Sequence, residues 1–188
     1  SLWKIEPIEK SIYEKNTWQL IDVETNGELS ATRVLSSGSF DNEIQMSKLY
    51  SPDFIIPETL SFQLFGNKRA SDDPEVNTNV VQLRLTGSDE VIQEAFVTEP
   101  NVRKKITWDN SLNKGKKGYL VIVDGSSFTN RTIGIGQLTP SVVNLPVESP
   151  SLVAERRVFA ANVARDYKLK AWSKDLEELF LSEYSDLY

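Results

Sequence analysis

Alternation at a period of two constrains this chain more than any other feature. Leu60, Phe62 and Leu64 are interleaved with Ser61 and Gln63, and Val81, Leu83 and Leu85 with Gln82 and Arg84. Successive side chains of a strand point to opposite faces, so such segments make strands with one buried face. Short apolar or alternating runs of this kind, punctuated by Asn, Gly, Ser, Asp and Pro, continue from Trp3 to about Val147. Strands are expected at Trp18 to Val23, Leu60 to Phe65, Asn79 to Thr86, Val91 to Val97, Lys105 to Trp108, Tyr119 to Asp124 and Ile133 to Leu138. Two more are expected near Arg33 to Leu35 and Asp53 to Ile56. Many short strands at close spacing favour a mainly β fold, a two-sheet antiparallel β-sandwich. Tyr119 to Val123 is apolar without a break, as in a central strand covered on both sides.

The pattern changes at Pro146 to Pro150, which reads as a linker. Beyond it Trp172, Leu176, Leu179, Phe180 and Leu187 fall on one helical face, with Lys174, Glu177, Glu178 and Ser185 off it. Ser149 supplies an N-cap and Pro150 a first helical position. The expected organisation is a β-sandwich domain over residues 1–147 and a C-terminal α-helical hairpin over 148–188. That hairpin must pack on something, either the sandwich or further helical repeats of a longer parent chain.

Composition removes whole classes of chemistry. The 188 residues include no histidine and no cysteine. A Ser-His-Asp triad, a thiol nucleophile, c-type haem attachment and a structural zinc site are therefore out of reach. The net charge of −6 comes from 27 acidic and 21 basic residues mixed along the chain, so no nucleic-acid partner is expected. No apolar run approaches the roughly 18–20 residues of a membrane span, and Ser1 to Lys10 lacks a signal-peptide layout. Membrane insertion is not expected.

Gly115 to Leu138, "GKKGYLVIVDGSSFTNRTIGIGQL", is open to three readings. Asp124 before Gly125 could present a carboxylate to a ligand or cation, or simply make a turn. Gly134-Ile135-Gly136 lacks the third glycine and the following helix of a dinucleotide loop, and glycines in a strand more often mark a bulge or a close approach. The stretch is expected to be a hairpin of two strands. A hydrolase using Asp109 with Asp124 would need both carboxylates across one cleft; no catalytic residue is assigned.

Other candidates lie in loops. Asn67, Lys68 and Arg69 form a polar loop end directly after a strand, where sandwich domains place binding groups. Trp18, Tyr50, Trp108, Tyr119 and Phe128 are aromatics that could stack on a sugar ring. Trp108, two residues after Ile106, is expected in the core, whereas Phe128 stands in a polar loop with Asn130 and Arg131. The expected ligand-binding set is Asn67, Lys68, Arg69, Asp124, Phe128, Asn130 and Arg131. Asp72, Asp73, Glu75 and Asn77 offer oxygen ligands that suit calcium, without EF-hand spacing; the alternative is a solvated loop.

A longer pattern joins these pieces. It runs through Ser36-Ser37-Gly38, "SPDFIIPETLSFQLFG" from Ser51 to Gly66, Asn79, Val81 and Leu83, and "KITWDNSLNKGKKGYLVIVD" from Lys105 to Asp124. Over roughly Arg33 to Val143 the chain resembles a β-sandwich module of large secreted planctomycete and verrucomicrobial proteins that also carry cytochrome-c-like haem domains. The stretch from Ala160 to Phe180 is similar to the helices that follow it and lead into HEAT-like repeats. The resemblance implies a galactose-binding-like or jelly-roll sandwich in a periplasmic or secreted protein. Its role would be non-catalytic, with adjacent domains of the parent protein and polysaccharide as partners. The alternative is a purely structural domain docking neighbouring haem, propeller or helical-repeat domains. Gly66-Asn67-Lys68-Arg69 stands where the family has a His-Asp-Gly group, and Arg131 to Gly134 where it has a Trp. A ligand site built from those residues in relatives would be altered here.

Overall fold

Alternating segments become strands because only pairing satisfies their backbone while one face is buried. The computed structural model describes residues 3–7, 18–24, 31–37, 46–66, 79–98, 102–125, 132–146, 153 and 156–161. Among them the strands are β1 (Lys4–Pro7), β2 (Gln19–Glu24), β3 (Ala31–Ser36), β4 (Ser47–Tyr50), β5 (Phe54–Ile55) and β6 (Thr59–Gly66). They continue with β7 (Val80–Leu85), β8 (Val91–Phe96), β9 (Val102–Asp109), β10 (Lys117–Asp124) and β11 (Ile133–Ile135). One sheet has the order β1-β4-β10-β7-β8, with β5 also on β10, and the other β2-β3-β11-β6-β9. Every pairing is antiparallel, so the expected two-sheet sandwich is what the chain builds.

The core lies between the sheets. Leu49, Val81, Leu83, Leu120 and Ile122 of the first face Leu35, Leu60, Phe62, Leu64, Ile133 and Ile135 of the second. Trp108 is buried, as its neighbour Ile106 implied, and packs edge-on against Phe62 at 4.9 Å between ring centroids. Each such side chain contributes about 1.5–3 kcal/mol on burial.

Polar side chains close the core where ladders end. Trp18 is fully buried and its Nε1 donates to Ser47 Oγ at 2.8 Å, across from the second sheet to the first. Trp18 is thus core rather than a stacking surface. Ser37 Oγ accepts from the Ile133 N–H (3.0 Å), Ser51 Oγ from the Leu120 N–H (2.9 Å), and Asn79 Oδ1 from the Gly125 N–H (3.1 Å). Gln93 Nε2 donates to the Asp109 carbonyl at 2.7 Å and ties β8 to β9 along one side.

The expected hairpin over Gly115 to Leu138 is not formed. β10 lies in the first sheet and β11 in the second, so the chain crosses between sheets there. Gly134 answers to close approach: a Cβ on it would stand 2.9 Å from the Leu35 carbonyl oxygen. β1 and β4 were not expected from the alternation; each is only four residues long. Residues 156–161 are helical, while Ser149, Pro150 and the second expected helix lie outside the described residues.

The register distinguishes two ends. Pro7, Ser47, Asp124, Val80 and Phe96 mark one end of the first sheet, and Gly66, Val102 and Ile133 the same end of the second. A Cβ on Gly66 would touch Val97, which brings these two sets together. The opposite end carries the β7–β8 turn and the 110–116 turn, where Gly115 has φ +83°.

At that second end Gly118 fixes how closely β10 approaches its neighbours. A Cβ there would fall 2.6 Å from the Arg84 carbonyl oxygen and 2.8 Å from Ile56 Cδ1. A backbone oxygen cannot step aside without breaking the ladder. Gly118→Ala is expected to lower stability by about 1–3 kcal/mol, read as a lower urea midpoint at unchanged denaturant dependence.

Candidate functional site

The alternation that sends Leu120 and Ile122 into the core turns Tyr119, Val121 and Val123 to the outer face of the first sheet. Register then places Tyr50 and Gln82 on either side of Val121, and Arg84 beside Tyr119. Val121 is only 1 % exposed although it faces outward, because larger side chains flank it. The Tyr50 and Tyr119 rings stand 6.3 Å apart between centroids and are tilted by 34°. Both are half-buried, and at that spacing the two rings interact as an aromatic pair.

A hydrogen-bonded network borders it. Gln82 Nε2 donates to Glu94 Oε1 at 2.7 Å, and Gln82 Oε1 accepts from Arg84 Nε at 3.0 Å and Nη2 at 2.7 Å. Arg84 Nη1 reaches Asp89 Oδ2 at 2.9 Å, and the Tyr119 hydroxyl donates to Asp89 Oδ1. On the other flank the Tyr50 hydroxyl is hydrogen-bonded to Glu6. The chain of contacts fixes the Gln82 amide without ambiguity, since its oxygen faces donors and its nitrogen a carboxylate.

Local backbone geometry brings Asp89 into place. The turn after β7 holds Gly87 at φ +96° and Asp89 at φ +60°. The Asp89 N–H donates to the Leu85 carbonyl (3.0 Å) and the Leu85 N–H to that of Glu90 (2.9 Å). Aspartate is one of the few residues besides glycine that visits this left-handed region. Its carboxylate thereby reaches both Arg84 and Tyr119, with its side chain still 64 % exposed.

The electrostatics follow from these contacts. Burial, then the bond to Asp89, pushes the Tyr119 hydroxyl up to about 12. Burial, then the bond to Glu6, does the same for Tyr50, also to about 12. The Tyr119 hydroxyl and the Arg84 guanidinium hold Asp89 below the usual carboxylate range. Both phenols therefore stay protonated donors at any physiological pH.

Of the ligand-binding residues expected from the sequence, Asp124 is the described one, and it lies away from this face. Asp124 is 4 % exposed, on the inner face of β10 and opposite Ser47, at the other end of the strand from Tyr119. Asn67, Lys68, Arg69, Phe128, Asn130 and Arg131 lie outside the described residues, as do Asp72, Asp73, Glu75 and Asn77. The flanking residues Gly66, Asn79, Gly125 and Thr132 all stand at the Asp124 end. Asp109 and Asp124 are not brought together: Asp109 pairs with Thr59 at the opposite end and accepts hydrogen bonds from Ser111. Among the described residues no three His, Cys, Asp or Glu side chains gather to hold a metal ion. Tyr50 and Tyr119 were legible as aromatics, but Gln82, Arg84, Asp89 and Glu94 were not. A Gly-Ser-Asp turn between two alternating runs was the pattern that could have found Asp89.

No protein-family pattern matches the chain, and no curated protein sequence does. Among solved structures it is similar to a cleaved adhesin domain of Lys-gingipain from Porphyromonas gingivalis, with 14 % identity and TM-score 0.43, covering 72 % of this chain and 88 % of that one. It is also similar to TmCBM61 in complex with beta-1,4-galactotriose, at 13 % identity and TM-score 0.39, covering 73 % and 86 %. A family 35 carbohydrate binding module from Clostridium thermocellum follows at 8 % identity and TM-score 0.32, covering 73 % and 98 %. Scores this low carry no information about ligands.

Raised tyrosine pKa values make a stability prediction. A phenol that ionises at 10.0 unfolded and about 12 folded favours the native state fully below pH 10, and that contribution is lost as pH rises toward 12. In an alkaline titration followed by tyrosinate absorbance, Tyr50 and Tyr119 are expected to ionise late. Tyr50→Phe and Tyr119→Phe should each remove one of them.

Proposed function

We propose that the chain is a non-catalytic binding module of a larger extracytoplasmic protein, and that it is directed to carbohydrate. One observation carries this: the joined Tyr50 and Tyr119 rings present an apolar surface within reach of fixed polar groups of Gln82, Arg84, Asp89 and Glu94. A sugar ring has an apolar face that stacks on aromatics and an edge of hydroxyls that both donate and accept. Carboxylates and a guanidinium held beside an aromatic pair complement that edge. The resemblance of Arg33 to Val143 to modules of secreted multidomain proteins supports the location and makes adjacent domains the other partners.

Asn67, Lys68, Arg69, Asp124, Phe128, Asn130 and Arg131 are a second proposed contact set, and calcium is proposed for Asp72, Asp73, Glu75 and Asn77. A docking role without a small ligand is the alternative. Val158 and Phe159, 59 % and 71 % exposed in the helical residues 156–161, are the apolar surface it would use.

A glycan array probed with the full chain tests the proposal. Binding to at least one glycan is expected, and Tyr50→Ala or Tyr119→Ala should each weaken it about tenfold. Binding that survives both substitutions would move the site away from this face. No binding to any glycan would leave the docking role.

A further inference from the structure

Arg84 is the group on this face best suited to an acidic ligand, and it is already engaged. Three of its nitrogens are occupied, Nη1 by Asp89 and Nε and Nη2 by Gln82, which leaves two of a guanidinium's five N–H donors. Around it stand the carboxylates of Glu6, Asp53, Asp89 and Glu94, each coupled to Tyr50, Tyr119 or Gln82. The cations facing the same surface are Arg84 itself, Lys48, which acts on Asp89, Lys4 opposite Tyr50, and Lys117, two residues before Tyr119 on the same face of β10. A carboxylate or sulfate on an incoming sugar would lose water to enter a field with no excess of positive charge, whose guanidinium is already paired. A hydroxyl finds acceptors on Asp89 and Glu94 and donors on Arg84 without that cost.

We infer that this face takes an uncharged glycan, one pyranose ring covering the Tyr50–Tyr119 pair, and that Asp89 determines specificity by occupying Arg84. The inference rests on the carbohydrate role proposed above. The scale of a single ring follows from the tyrosines themselves: with centroids 6.3 Å apart, both lie within reach of one sugar ring.

Affinity electrophoresis of the full chain separates the possibilities. Gels carrying galactan, mannan, xylan or β-glucan are compared with gels carrying polygalacturonate or alginate, for the wild type and Asp89→Asn. Asparagine also adopts the left-handed turn conformation, so the variant keeps the backbone while releasing the guanidinium. The wild type is expected to be retarded by at least one neutral polysaccharide with an affinity at least about tenfold above that for either polyuronate. Asp89→Asn should shrink that ratio by about threefold or more, and added salt should restore it.

Equal or stronger retardation by polyuronate overturns the neutral-ligand inference and leaves the carbohydrate role standing. An unchanged ratio in a folded Asp89→Asn overturns the part given to Asp89. Retardation by no polysaccharide overturns the carbohydrate role itself. The wild-type comparison decides ligand charge even if the variant fails to fold.

Discussion

Strand β10 is the constraint on which the rest depends. It pairs with β7 along one edge and with β4 and β5 along the other, so its two faces have no freedom in what they present. Leu120 and Ile122 anchor the core, and the intervening Tyr119 and Val121 are set on the opposite surface by the same alternation. A one-residue slip would put tyrosine into the core and leucine into water. Gly118 at its start, pressed against the Arg84 carbonyl, guards against that slip. Core and candidate site are therefore specified by one register.

Much of the sandwich was legible because alternation is a local property. Leu60 to Phe65, Val91 to Val97 and Tyr119 to Asp124 correspond to β6, β8 and β10 with small changes at the ends. Pairing is not local. Nothing between Asp124 and Ile133 announces that the chain leaves one sheet for the other, and a turn-rich stretch between two apolar runs suits a crossover as well as a hairpin. β1 and β4 escaped notice for another reason: "KIEP" and "SKLY" are too short to show a period, and they are strands because β10 and its neighbours offer them an edge. Trp18 shows the limit for single residues. Its burial depends on Ser47, far away in sequence, which takes its N–H.

Residues of the family-like pattern and residues of the aromatic face do different work. Ser37, Ser51 and Asn79 each complete a backbone bond that a strand end would otherwise leave open, and Trp108 fills the core beside Phe62. These are positions where a buried N–H without a partner would cost about 1–3 kcal/mol. The pattern therefore describes how a sandwich of this kind is held shut. Of the aromatic face only Tyr119 belongs to it, and Gln82, Arg84 and Asp89 come from a strand and turn whose polar residues looked like ordinary solvent-facing ones. Sequence spacing could not show that three such residues, two positions apart or across a turn, meet in one network.

That network has a thermodynamic consequence. Arginine, glutamine and tyrosine side chains on most surfaces sample several rotamers, and ordering each one on binding costs about 0.5–1.5 kcal/mol. Here Tyr50, Gln82, Arg84 and Tyr119 are tied to partners in the free protein. Their freedom is surrendered during folding, when the gain from the whole core offsets it. Any ligand that settles on this face meets a surface already arranged, and gives up mainly its own motion to stay there.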